Sequence, residues 1–143
     1  MEENINALDE VNKGASIGMD AISFTMDKAE DANFIKVLKG EYDKYKAISE
    51  KIDKIYRKYN DTDTPHEVSP ITKTMTWWGI EMKTFNDKSN SKIAELLVKG
   101  TNMGIIEGRR ILNNKNIGKE VEKLVDEFVR MQEDSLEILK EYL

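Results

Sequence analysis

Cysteine is absent from this chain, which excludes disulfides, thiolate chemistry and iron–sulfur clusters built from its own side chains. Histidine occurs once, at His66, so a histidine-rich metal site cannot be assembled within one chain. Proline occurs only as Pro65 and Pro70, and every other long segment is free to be helical. No uncharged run exceeds seven residues, far short of the about 20 apolar residues that span a membrane. Period-two alternation bounded by turn residues is also missing, so strands are not expected. These absences leave an all-α chain.

Charge, by contrast, is abundant. Charged residues make up 34% of the 143, the net charge is −5, and the two signs are interleaved as on solvated helix faces. That pattern implies a soluble protein with no nucleic-acid and no membrane partner. The opening MEENINALDE is acidic and periodic, the wrong chemistry for a signal or transit peptide, so a cytoplasmic location is expected. The length suits a single domain, 1–143.

Apolar spacing of three and four places the helices. The first, about 2–30, carries Ile5, Leu8, Ala15, Met19, Ile22 and Met26 on one seam, with Gly14 and Gly18 beside it. Asp31 can cap a second helix, about 32–59, whose seam holds Phe34, Leu38, Glu41, Tyr45, Ile48 and Ile52. Asn60 to Ser69 is a loop, and Ser69-Pro70 starts a crossover helix, about 70–85, with Met75, Trp78, Met82 and Phe85 on one face. A long helix, about 92–112, and a last one, about 117–142, complete the chain. Short turns make each long pair antiparallel, and the connector between the pairs is long enough to travel the full length of a helix. That is the connectivity of a four-helix bundle with one end-to-end crossover; a plain up-down bundle of five helices is the alternative.

The stretch Lys99 to Leu112, KGTNMGIIEGRRIL, stands apart because Gly100, Gly104 and Gly108 recur every four residues. Each glycine costs a helix interior about 1 kcal/mol relative to alanine, so three suggest a stripe where something approaches the backbone. They either meet Gly14 and Gly18 in close helix packing or leave a cavity. Glu107 falls in register with the apolar positions, as Glu41 does on the second helix. Two such carboxylates would repel, and Lys44 and Arg110, each one turn further along, could neutralise them. The pair reads either as a polar pocket or as an ion-pair network that sets helix register.

With these residues placed, the chain resembles the ferritin-like, rubrerythrin-related superfamily over nearly its whole length. That resemblance implies one Glu on each of the first and third bundle helices and Glu-x-x-His on the second and fourth. Here the second-helix motif is Glu41-Tyr42-Asp43-Lys44, and the fourth-helix match is Gln132-Glu133-Asp134-Ser135. On the first helix the inward position is Met19, and on the third it is Glu107, followed by Arg110. Two carboxylates of four remain and both histidines are replaced, so the resemblance implies the ferritin-like four-helix bundle without its diiron chemistry.

The expected function is therefore non-catalytic: an interaction or small-ligand-binding module without cofactor or bound metal. Its pocket would be built from Glu41, Glu107, Lys44, Arg110, Met19, Gly100 and Gly104. A homodimer is expected, with a protein or small molecule as further partner. Trp77 and Trp78 are adjacent and point about 100° apart on a helix, so one fills the core and the other is offered to a partner surface. The competing expectation is a metal-binding protein or oxidoreductase with an atypical carboxylate site at Glu41 and Glu107. His66 is read as a solvated loop residue.

Overall fold

A computed structural model of the chain describes residues 2–59, 73–114 and 116–143. They form five helices and no strand: α1 (Glu2–Lys28), α2 (Ala32–Tyr59), α3 (Lys73–Thr84), α4 (Asn90–Asn114) and α5 (Lys119–Lys140). The expected loop 60–69, with Pro65 and His66, and the first turn of the crossover helix at Pro70 lie outside the described residues. None of the described helices is long and apolar enough to cross a membrane.

Local chemistry sets the breaks. Asp31 Oδ1 accepts the Phe34 backbone N–H at 2.9 Å and so satisfies an orphan donor at the start of α2. Ser89 does the same for α4, its hydroxyl oxygen accepting the Lys92 N–H at 3.2 Å. The polar run 86–89 between them separates α3 from α4.

The long helices pack as two pairs, α1 on α2 and α4 on α5, which close on each other through α1 with α4 and α5 and through α2 with α5. Their directions follow from polar contacts at one end. Gly118 N–H donates to Asn4 Oδ1 at 2.8 Å, and Asn116 N–H donates to Glu3 Oε2 at 2.6 Å, which seats the α4–α5 turn on the start of α1. Lys58 pairs with Glu120 at 3.1 Å, so α2 ends where α5 begins. α1 and α5 thus each run antiparallel to α2 and α4 and parallel to one another, and the chain must travel from one end of the bundle to the other between α2 and α4. At about 1.5 Å per residue the 28-residue α2 is about 42 Å long, which sets that distance.

The core is continuous. Leu8, Phe34, Leu38, Ile52, Ile93 and Leu96 are fully buried, each worth about 1.5–3 kcal/mol relative to exposure. α3 packs on α4. Trp78 Nε1–H donates to the Leu96 carbonyl at 2.7 Å, and Glu81 pairs with Lys92 at 3.0 Å and Lys99 at 3.3 Å. These cations hold the Glu81 carboxyl below its usual range, the Lys92 hydrogen bond most of all.

Facing positions on α4 differ from expectation. Thr101 and Gly108 are buried, whereas Gly100 is half-buried and Glu107 is exposed. The steps 97–100–104–107–111 and 97–101–104–108–111 fit a period of 3.6 equally well, and packing selects the second. The helix glycines separate by surroundings. A Cβ at Gly40 would meet nothing within 4 Å, whereas one at Gly108 would lie 2.3 Å from Val129 Cγ2. Gly40→Ala is therefore expected to stabilise the protein by up to about 1 kcal/mol. Gly108→Ala should show a net loss of about 1–2 kcal/mol, because buried, β-branched Val129 cannot turn aside. Urea denaturation of the two variants checks the opposite signs.

Candidate functional site

The small residues on α1 and α4 face a common space. Gly14, Gly18 and Ala21 line it from α1, and Gly100, Gly104 and Gly108 line it from α4. Large side chains from the other helices reach into part of that space. A Cβ at Gly18 would lie 2.6 Å from the Tyr45 ring, and one at Gly100 would lie 2.6 Å from Trp78. At Gly104 the obstructing atom is Gln132 Oε1, at 1.9 Å, and at Gly14 it is Phe128, at 3.1 Å. The nearest atoms to both stripes are thus side chains from α2, α3 and α5 rather than the opposing helix backbone. What they leave unfilled is a cavity of about 470 Å³ between α1 and α4, within the range of about 300–1,000 Å³ common for small-molecule sites.

Its walls are mostly apolar, with Val11 and Ile22 from α1, Leu97 and Ile111 from α4, and Phe128 and Leu139 from α5. Met75 and Trp78 of α3 close one side. Toward the surface the lining becomes Glu10 and Lys13 on α1 and Ile106, Glu107 and Arg110 on α4, of which the last three are exposed. The mouth is therefore charged and the interior is not.

Polar groups gather on the inner wall. Glu41 is 4% exposed, and Gln132, Ser135, Thr101 and Tyr45 are also buried. Glu41 and Tyr45 are four residues apart on α2, and Gln132 and Ser135 three apart on α5, so each pair shares a helix face. Glu41 Oε2 accepts from Lys44 Nζ at 2.8 Å. Glu41 Oε1 and Gln132 Nε2 are buried with no hydrogen-bond partner among the described residues. An orphan buried polar atom costs about 1–3 kcal/mol, so two in one cavity call for an explanation. Thr101 directs its hydroxyl at the Leu97 carbonyl, 2.7 Å away.

Burial pushes the Tyr45 phenol up from 10.0 to about 12, and the nearby Glu41 charge adds to the rise while the Thr101 hydrogen bond opposes it. The folded state thus holds the phenolic proton more tightly than the unfolded chain. The stability this contributes is complete below pH 10, declines as pH rises through the window to about 12, and is gone above it. Over that window the parent is expected to lose on the order of 2–3 kcal/mol more stability than Tyr45→Phe. Urea midpoints of the two proteins on either side of the window measure the difference.

The structure brings together some of the expected site residues and separates others. Glu41, Glu107, Arg110, Gly100 and Gly104 line the cavity, and Lys44 joins through its pair with Glu41. Glu107 does not point inward: its side chain is 48% exposed at the rim and pairs with Arg110 at 2.9 Å. It belongs to the solvated side because Gly108 takes the inward position. Met19 packs half-buried against the core and is not part of the lining. Trp78 faces inward and Trp77 is 71% exposed, with Ile80 exposed three residues on. Spacing alone does not single out Thr101 and marks Tyr45 only as a seam residue, while Gln132 and Ser135 enter through the family motif. Their shared faces with Glu41 and with one another were the available signal.

Among the described residues no group of three or more His, Cys, Asp or Glu side chains is arranged to hold a metal ion. No family model matches the chain, and no curated protein or solved structure is significantly similar to it.

Proposed function

We infer that the chain is a non-catalytic, degenerate ferritin-like bundle whose cavity between α1 and α4 binds a small, largely apolar molecule. The observation that carries this reading is a cavity of about 470 Å³ lined by two side chains, Glu41 and Gln132, that each carry a buried polar atom, Oε1 and Nε2, unsatisfied among the described residues. A site meant only for packing has no need of either. The ferritin-like part is supported by antiparallel neighbours around the bundle and by the end-to-end passage between α2 and α4. The four positions where the resemblance would place carboxylate ligands hold Met19, Glu41, Glu107 and Gln132. With Met19 outside the cavity lining and Glu107 in solvent, we favour a ligand cavity over a metal site at Glu41 and Glu107.

Calorimetric titration with octanol tests the reading. One equivalent is expected to bind saturably. Half-buried Ile17 lines the cavity, and Ile17→Trp should fill it and weaken binding by about tenfold or more with the helical signal retained. The reading fails if octanol does not bind, or if it binds Ile17→Trp as tightly as the parent.

A further inference from the structure

We propose that the cavity selects an uncharged, alcohol-type ligand, whose hydroxyl donates to Glu41 Oε1 and accepts from Gln132 Nε2 while its apolar body lies along the aliphatic wall. The assignment rests on the reading of the cavity as a ligand site and adds the chemistry of the head group. The two orphan atoms are of opposite kind. A carboxylate oxygen only accepts, and an amide nitrogen only donates. Each is buried with no hydrogen-bond partner among the described residues, and the two side chains that carry them both line the cavity.

Three simple head groups meet this wall differently. A carboxylate can accept from Gln132 but faces Glu41 with like charge. An ammonium can donate to Glu41, yet it leaves Gln132 unsatisfied. It also adds a second cation where Lys44 already serves Glu41 at 2.8 Å, and it must shed its hydration to enter. A hydroxyl donates once and accepts as well, with no net charge to desolvate. The other polar side chains on the wall do not supply the missing partners. Thr101 serves the Leu97 carbonyl and Tyr45, and Ser135 points its hydroxyl at Met131 Sδ, 3.9 Å away. The charged groups at the mouth, Glu107 and Arg110, are paired at 2.9 Å in solvent and do not reach the inner wall. Beyond the two orphans the interior offers Val11, Ile22, Leu97, Ile111 and Leu139, which favour hydrocarbon in proportion to the area buried. Bridging water could also satisfy the two atoms, but it would leave the site indifferent to the head group of whatever lies beyond it.

The test compares octanol, octylamine and octanoate at neutral pH on Trp77→Phe, in which Trp78 on the cavity wall is the one remaining tryptophan of two and reports binding by fluorescence. Octanol is expected to bind about tenfold or more tighter than either charged probe. In Glu41→Leu and in Gln132→Met, both checked for helical content, that advantage should shrink to about threefold or less. Equal binding of the three probes, or preference for a charged one, overturns the head-group assignment and leaves the cavity reading standing. A preference for octanol that survives both substitutions shows that Glu41 and Gln132 do not confer it and overturns their roles. Failure of every probe to bind overturns the assignment and the cavity reading together.

Discussion

Glu41→Leu is expected to be more stable than the parent protein, by about 1–4 kcal/mol in urea denaturation, while binding octanol about tenfold less tightly. Glu41 is buried, one oxygen has no partner among the described residues, and the cation that pairs with the other, Lys44, is 38% exposed. Removing the carboxylate leaves Lys44 free to turn into water, so no charge is stranded inside. Leucine has similar bulk and suits the surrounding aliphatic wall. The desolvation penalty of a half-satisfied carboxylate disappears, and little attraction is lost with it. Opposite signs for stability and binding mark a residue kept for a ligand rather than for the fold. If Glu41→Leu loses stability instead, the carboxylate is a structural part of the bundle and the functional account of it is wrong.

Phe34→Ala is expected to have the opposite character, costing about 3–5 kcal/mol of stability and leaving the affinity of the folded protein for octanol unchanged. Phe34 lies in the first turn of α2, is fully buried, and its ring sits 4.7 Å from that of Tyr142 beyond the end of α5. It joins the two helix pairs at the end of the bundle opposite the Asn4–Gly118 contact. Truncation leaves a void that neighbouring side chains on rigid helices cannot fill, so a cavity term adds to the lost transfer energy. With typical total stabilities of about 5–15 kcal/mol, this change alone could remove a large share. The expected readout is a lower urea midpoint with an unchanged slope. A loss below about 1 kcal/mol would mean that this end of the bundle contributes little to cooperative folding.

The contrast between these residues shows what a linear pattern can convey. Phe34, Leu38 and Ile52 are legible as core because their spacing on α2 leaves one face for them, and Asp31 is legible as a cap because its side chain suits an orphan N–H. On α4 the pattern is degenerate. Leu97 and Ile111 are anchored, but between them Gly100, Thr101, Gly104, Glu107 and Gly108 give no clear apolar preference, so two faces compete. The structure resolves the choice through residues distant in sequence: Val129 packs over Gly108, Gln132 over Gly104 and Trp78 over Gly100. Those contacts depend on how α3 and α5 sit, which the local period does not encode.

The cavity was harder to read for a related reason. A stripe of glycine announces missing volume, but only the fold says whether that volume is reclaimed by backbone, by side chains or by nothing. On α1 and α4 the answer is mixed. Tyr45, Phe128, Trp78 and Gln132 fill the space beside Gly18, Gly14, Gly100 and Gly104, and the remainder stays open between them. Glu107 reads as inward only in the register that also places Gly100 inward. Once Thr101 and Gly108 face the core, Glu107 turns to the rim and Glu41 is left as the one of the two carboxylates inside the cavity.

A crystal structure of the full chain grown with octanol decides whether the cavity takes an alcohol at Glu41 and Gln132. Electron density is expected for one octanol in the cavity between α1 and α4, its oxygen within hydrogen-bond distance of Glu41 Oε1 and Gln132 Nε2 and its chain against Leu97 and Ile111. A cavity holding only ordered water, or octanol bound elsewhere on the protein, would contradict it.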